Sequence, residues 1–337
     1  MFRLELMADV RGLTFSAART YRLERVMERS EQPPGVGGGF FRNVVVGVDE
    51  HQGGRDAVAL AEKLVAADGS MMCVRVLVRD ALLARGPELK VNDVLAHDAR
   101  EADRVLHVGR GSGPDQVRGF DAPSVGRGLH EVVDAKRADL LVIGSCRRGL
   151  LGRVMLGDET SEALNGAGCA VAVAPFGYAD AQAVIREIGV AYDGSLDSTN
   201  ALAVGRELAR EHDARLSAFQ AVAVPASLSF PGAGGLAQSV PGMVDEARAR
   251  IAALGDVEPH AAYGVASEEL AVFSASLGLL VVGSRGYGPA GRLIHGSTSR
   301  QLARTARCPL LVLTRDAGFR RSAVINDVRP AVVAAVS

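Results

Sequence analysis

The chain has 337 residues, 48% of them apolar by type, and 38 Lys and Arg against 39 Asp and Glu give a formal net charge of −1. That length suits two domains, and near-neutral charge provides neither the basic field that nucleic acid requires nor a charged tail. No apolar run reaches membrane-spanning length and the first residues lack an uninterrupted apolar core, so neither a membrane partner nor a secretory leader is expected, and the expected location is cytoplasmic.

Residues 1–40 close in EQPPGVGGGF, whose Pro and Gly content predicts a flexible extension and linker. The apolar run Val44–Val48 then predicts a strand buried on both faces and ending at Asp49. Ala57, Leu60, Ala61 and Leu64 follow at helical spacing. Further strands are expected at Met71–Val78, near Gln116–Phe120, at Leu140–Ile143 and at Val171–Ala174. After a linker at 177–185 the order repeats. Ile188–Tyr192 runs into Asp193, and Ala201, Val204, Gly205 and Leu208 give the helical spacing. Strands are expected at Leu216–Val224, near Val257–Ala262, at Leu279–Val282 and at Leu310–Leu313. The tail, 316–337, shows no helical period.

The landmarks recur at nearly constant distance: Asp49 and Asp193 lie 144 residues apart, Gly144 and Gly283 139 apart, and Cys169 and Cys308 139 apart. A period this long means two whole domains, at 41–176 and 186–315, rather than a solenoid. Strands alternating with helices predict, for each, a parallel sheet with helices on both faces. The four cysteines, Cys73, Cys146, Cys169 and Cys308, form no CxxC pair and read as buried, reduced thiols.

Chemistry concentrates in the second copy. GSRGYGPAGRLIHGST, from Gly283 to Thr298, follows an apolar run and precedes a helix-forming stretch. Glycines at 283, 286 and 296 permit sharp turns and close backbone approach. Ser297 suits an N-cap, and the start of the helix it opens favours phosphate. Arg285 and Arg292 add positive charge nearby. Asp193, in AYDGS, ends the first strand of its copy. Ligands of open α/β sheets sit beyond the carboxyl ends of the strands where strand order reverses. A reversal between the first and fourth strands would set Asp193 across a crevice from Gly283, its carboxylate placed to accept from ribose hydroxyls or an adenine amine.

Strand–Asp–Gly–Ser, then V-V-G-S-R-G…G-S-T, then C-P-L-L-V-L resembles the universal stress protein family over residues 42–176 and 186–315. The resemblance implies two tandem Rossmann-like domains of the adenine nucleotide α-hydrolase type, each a five-stranded parallel sheet in order 3-2-1-4-5. It also implies ATP as ligand, with Mg²⁺ as an accompanying ion, and pairing of the two domains within the chain or between chains as a homodimer. By motif position the nucleotide-binding residues are Asp193, Gly194, Ser195, Arg285, Gly286, Gly283, Gly296, Ser297 and Thr298, with Ala221 where the family sets backbone groups against adenine. Asp49, Val76, Gly144 and Gly157 are the matching secondary candidates of the first copy. There Arg147 replaces the second glycine and Asp158 the serine, so a side chain crowds the loop and a carboxylate repels phosphate. Weak or absent ATP binding is expected in that copy unless Arg147 pairs with a phosphate or Asp158 holds Mg²⁺.

Three functions follow for weighing: an ATP-binding regulatory stress-response protein with an unidentified protein partner, an adenine-nucleotide enzyme of the wider group, or a nucleotide-free scaffold. YDGSLDS only faintly echoes the SGGxDS element the enzyme would need, and no dedicated base is evident, so a non-enzymatic role is expected. His295 has no sequence neighbour to orient it and reads as a loop histidine.

Overall fold

The computed structural model describes residues 40–49, 51–79, 91–107, 117–145, 162–181, 183–223, 236–284 and 297–314. The expected N-terminal extension, apart from Phe40, and the C-terminal tail lie outside these. The first copy runs β1 (Phe41–Gly47), α1 (Gln52–Leu64), β2 (Val65–Val78), α2 (Val91–His107), β3 (Arg118–Ala122), α3 (Val125–Lys136), β4 (Leu140–Gly144) and β5 (Ala170–Ala174). The second runs β6 (Glu187–Ala191), α4 (Leu196–His212), β7 (Arg215–Val222), α5 (Leu236–Ala252), β8 (Glu258–Tyr263), α6 (Ala266–Phe273), β9 (Leu279–Gly283), α7 (Ser297–Thr305) and β10 (Leu310–Leu313).

The strands of the described residues form one ten-stranded sheet in the order β3-β2-β1-β4-β5-β10-β9-β6-β7-β8. Within each copy this is 3-2-1-4-5, as the resemblance implies, and every pairing inside a copy is parallel. The join is different. β5 and β10 pair antiparallel, with Val173 opposite Leu310, Ala172 opposite Leu311 and Val171 opposite Val312. An unpaired β5, sequence AVAVA, would leave an apolar edge open to aggregation; here β10 covers it, and all five of its residues are buried. Ala172 opposite Leu311 lies between the branched pairs Val173–Leu310 and Val171–Val312.

Strand alternation sends side chains to two layers that each run through both copies. One layer holds Val44, Val46, Ala172, Val190 and Leu311 under α1 and α4, with Leu60 and Leu208 among the contacts. The other holds Val45, Val171, Val282 and Val312 under α3, α6 and α7, with Leu129, Leu270 and Leu302. Among the described residues, no helix is long and apolar enough to cross a membrane.

Several strands depart from their sequence expectation, among them β1, which starts at Phe41 rather than Val44, and β7, which ends at Val222 rather than Val224. β2 starts at Val65 rather than Met71, because the chain pairs with Phe41 as soon as α1 ends, bulges, and resumes with Ser70 opposite Asn43. β3 and β8 begin one or two residues later than expected; they are the sheet edges, and their mixed burial gives no clean apolar boundary. Cys73, Cys169 and Cys308 are buried and free. Burial, reinforced by Glu62, pushes the Cys73 thiol up to about 12, and burial likewise pushes Cys308 up to about 12. Such thiols are poor nucleophiles. Cys146 lies outside the described residues.

The segment joining the copies is held by α1. Asp56, 0% exposed, accepts from the amides of Gly177 and Ala179 at 2.8 Å each and from Gln52 Nε2 at 3.0 Å. Gln52 also donates to Asp180 at 3.0 Å, and the Lys63 ammonium lies 5.0 Å from the centre of the Tyr178 ring. Loss of hydration outweighs these donors and raises the Asp56 pKa above its ordinary 3.8. Asp56→Ala strands two backbone amides and is expected to cost about 2–4 kcal/mol in urea denaturation. Because the native carboxyl holds its proton to higher pH than the unfolded one, its contribution falls as pH rises from about 3.8 through the folded value. The alanine variant should lack that slope.

Candidate functional site

The copies reverse strand order between their first and fourth strands. In the second copy β6 lies between β7 and β9, with Val190 opposite Val281 and Ala191 opposite Phe219. Asp193 and Gly283 therefore leave adjacent parallel strands at the same end of the sheet, the expected place for a ligand.

The turn after β6 is locally determined. Gly194 sits at φ +80, a conformation L side chains rarely adopt. Asp193 Oδ1 accepts from the Ser195 amide at 3.0 Å, and the Asp193 amide donates to Ser198 Oγ at 3.3 Å. Ser195 is the N-cap of α4, its hydroxyl accepting from the Ser198 amide at 3.2 Å. The result is an exposed Asp193 on a turn held by these hydrogen bonds. A cleft of about 370 Å³ opens beside it, lined by Tyr192, Asp193, Gly194, Gln220 and Arg250.

Ala221 lies one residue before the end of β7. The Phe219 carbonyl accepts from the Tyr192 amide at 2.9 Å, so the main-chain groups of Ala221, two residues on, point the same way but past the end of β6. Its side chain packs into the layer beneath α6. Gln220, on the opposite face, lines the cleft, and Arg250 reaches its Oε1 at 3.5 Å. Sequence reading missed both. Gln220 was findable as the neighbour of Ala221; Arg250 was not, because only the packing of α5 on β7 brings it there.

Gly283 has a role the motif does not reveal. A Cβ there would lie 2.4 Å from the Asp197 carbonyl oxygen and 2.7 Å from its carbon. The glycine thus lets the first turn of α4 pack on the end of β9. Thr298 is half-buried in the first turn of α7, and Ser297 begins that helix. Arg285, Gly286, Arg292, His295 and Gly296 lie outside the described residues.

The first copy repeats the frame and differs in detail. Gly144 packs on α1, where a Cβ would lie 2.1 Å from the Gly53 carbonyl oxygen. The amide of Val48 donates to the Val74 carbonyl at 3.0 Å, which sends the main chain of Val76 past β1 as at Ala221. Asp49, however, is half-buried, and its Oδ1 accepts from the amides of both His51 and Gly54, at 3.1 and 3.0 Å. This carboxylate caps its own helix. Arg147, Gly157 and Asp158 lie outside the described residues.

A larger cleft, about 500 Å³, lies among Arg206, Arg210, Arg215 and Asp256 at the amino ends of the strands. Its arginines are matched by carboxylates: Arg206 to Asp256 at 2.7 Å, Arg210 to Glu207 at 2.6 Å, and Arg215 to Glu187. That is a surface ion network on the wrong end of the sheet for an α/β ligand. Among the described residues no group of three or more His, Cys, Asp or Glu is arranged to hold a metal.

The family model for universal stress proteins matches residues 40–175 and again 185–314. Comparison with curated proteins gives no match. Among solved structures, a putative universal stress protein from Pseudomonas aeruginosa UCBPP-PA14 is similar at TM-score 0.53 and 17% identity, over 85% of this chain and 98% of that one. A universal stress protein from Archaeoglobus fulgidus DSM 4304 is similar at TM-score 0.51 and 17% identity, over 81% and 98%. At such identity the likeness is one of fold.

Proposed function

The chain belongs to the universal stress protein family, with two copies of its domain in tandem, and from that premise we propose that it is an ATP-binding regulatory protein whose nucleotide is held by the second copy. The observation that carries the reading is the exposed Asp193 carboxylate beside an open cleft at the strand-order reversal, next to the end of β9. Asp193 would accept from the ribose hydroxyls or the adenine amine, Ala221 would offer main-chain groups to the base, and Gly194 would keep the turn free of a side chain. The phosphates would lie toward Gly283, Arg285, Gly286, Gly296 and the helix start at Ser297 and Thr298. Mg²⁺ enters only as a counter-ion of the phosphates. The first copy, its aspartate engaged by its own helix, acts as the structural partner that completes the sheet. We assign the boundaries 41–176 and 186–315 to the two domains, the function to regulation through an unidentified protein partner, and no catalytic residue.

Mass spectrometry of nucleotide released from freshly purified protein tests the reading, with calorimetry of the emptied protein giving affinity and stoichiometry. One adenine nucleotide per chain is expected. Asp193→Ala should weaken ATP about tenfold or more, the worth of a hydrogen bond to a charged group. A protein that carries no nucleotide and gives no heat with ATP would be a scaffold instead.

A further inference from the structure

We propose that the surface of α4 around Leu196 and Asn200 is the docking seat of this chain's own C-terminal tail. The occupant is 316–319, with the Asn200 carboxamide bonding its main chain and Phe319 covering Leu196. The first copy supplies the precedent. Its chain leaves β5 and turns over α1, where Asp56 accepts from the Gly177 and Ala179 amides and Gln52 donates to Asp180. The duplication gives the matching positions. On the helix the offset is the 144 residues between Asp49 and Asp193, and the packing keeps it: Gly144 meets Gly53 as Gly283 meets Asp197. Asp56 therefore corresponds to Asn200, and Gln52 to Leu196. Past the fifth strand the offset is the 139 residues between Cys169 and Cys308, so 177–180 correspond to 316–319. Asp316 comes three residues after the end of β10, as Gly177 comes three after the end of β5.

The seat consists of described residues, and two features of it call for a cover. Among the described residues Asn200 Nδ2 is buried without a hydrogen-bond partner, which is costly. Leu196 is 58% exposed. Seat and occupant have also changed together between the copies. Gln52 and Asp180, a hydrogen-bonded pair, become Leu196 and Phe319, an apolar pair. Lys63 and Tyr178, a cation 5.0 Å from a ring centre, become Glu207 and Ala317, and Glu207 accepts from Arg210 at 2.6 Å instead. The Asp56 carboxylate becomes a carboxamide, which can accept from one main-chain amide and donate to one carbonyl. Leu196 adjoins the Ser195 cap, so a docked tail braces the turn that carries Asp193 whether or not a nucleotide is bound.

The test is hydrogen exchange of the full chain, nucleotide-free, read by mass spectrometry. In wild type the amides of 316–320 should exchange about tenfold or more slowly than those of 331–337, the worth of one hydrogen bond. Phe319→Asp and Asn200→Ala should each abolish that difference. Leu196→Gln together with Phe319→Asp recreates the pair of the first copy and should restore it. Phe319→Asp changes only the tail, so it remains informative should Asn200→Ala fail to fold. Equal exchange of the two stretches in wild type, or protection that survives both Phe319→Asp and Asn200→Ala, overturns the proposal. Protection that disappears on dilution would put the tail on a second copy of the chain and overturns it as well.

Discussion

Gly283→Ala is expected to cost about 1–3 kcal/mol of stability and to weaken ATP by at least about tenfold. The added methyl carbon would stand 2.4 Å from the Asp197 carbonyl oxygen, and the obstacle is backbone, not a flexible side chain. The first turn of α4 must move off β9. That turn is tied to the Asp193–Ser195 bend through the Ser195 cap and the Asp193 amide's bond to Ser198, so the displacement carries the carboxylate away from the place where it faces the end of β9. Gly144→Ala makes the matching change in the first copy, with its methyl 2.1 Å from the Gly53 carbonyl oxygen. It should cost similar stability without altering the ATP affinity of the second copy. Urea denaturation and calorimetry on both variants measure the pair. Equal losses of ATP affinity would mean the copies are not separable in binding.

Leu311→Asp should have the larger effect on the fold: a loss on the order of 4 kcal/mol or more, and both copies unfolding in one transition. Leu311 is 0% exposed and pairs with Ala172 at the centre of the antiparallel junction. It belongs to a layer that also contains Val44 of the first copy and Val190 of the second. A carboxylate there loses the apolar contact and brings an unpaired charge into the interior. Since whole domains are stable by only about 5–15 kcal/mol, one such change consumes a large share. Calorimetric melting reads the outcome. A variant that melts like wild type, or whose copies melt separately with one unaffected, would show that the junction does not form in solution.

The two copies share a strand order and differ at the turn after their first strands. The antiparallel pairing of β5 with β10 directs the carboxyl ends of the two copies' strands to opposite ends of the shared sheet. Asp49 spends its carboxylate on two amides of its own helix start, whereas Asp193 leaves capping of α4 to Ser195. The copies differ at two local positions: the second has Ser195 as cap and Ser198 bonded to it, where the first has His51, which makes no side-chain cap bond, and Gly54, whose amide donates to Asp49.

The amino-acid sequence alone determined the duplication, the strand runs, the positions of Asp193 and Gly283, and the strand order through family resemblance. Those features are written in local apolar runs, turn residues and spacing, each legible within a few residues. Tertiary structure decided the rest. Nothing local in AVAVA or LLVL says that the two strands meet, or that they run in opposite directions; that depends on an edge strand of one folded copy meeting an edge strand of the other. The burial of Asp56 against the 177–181 turn, the arrival of Arg250 at the Asp193 cleft, and the packing reason for Gly283 all require two elements to be docked first. Such contacts join residues far apart in the chain, and a linear sequence carries the pieces of a contact without the docking that makes it.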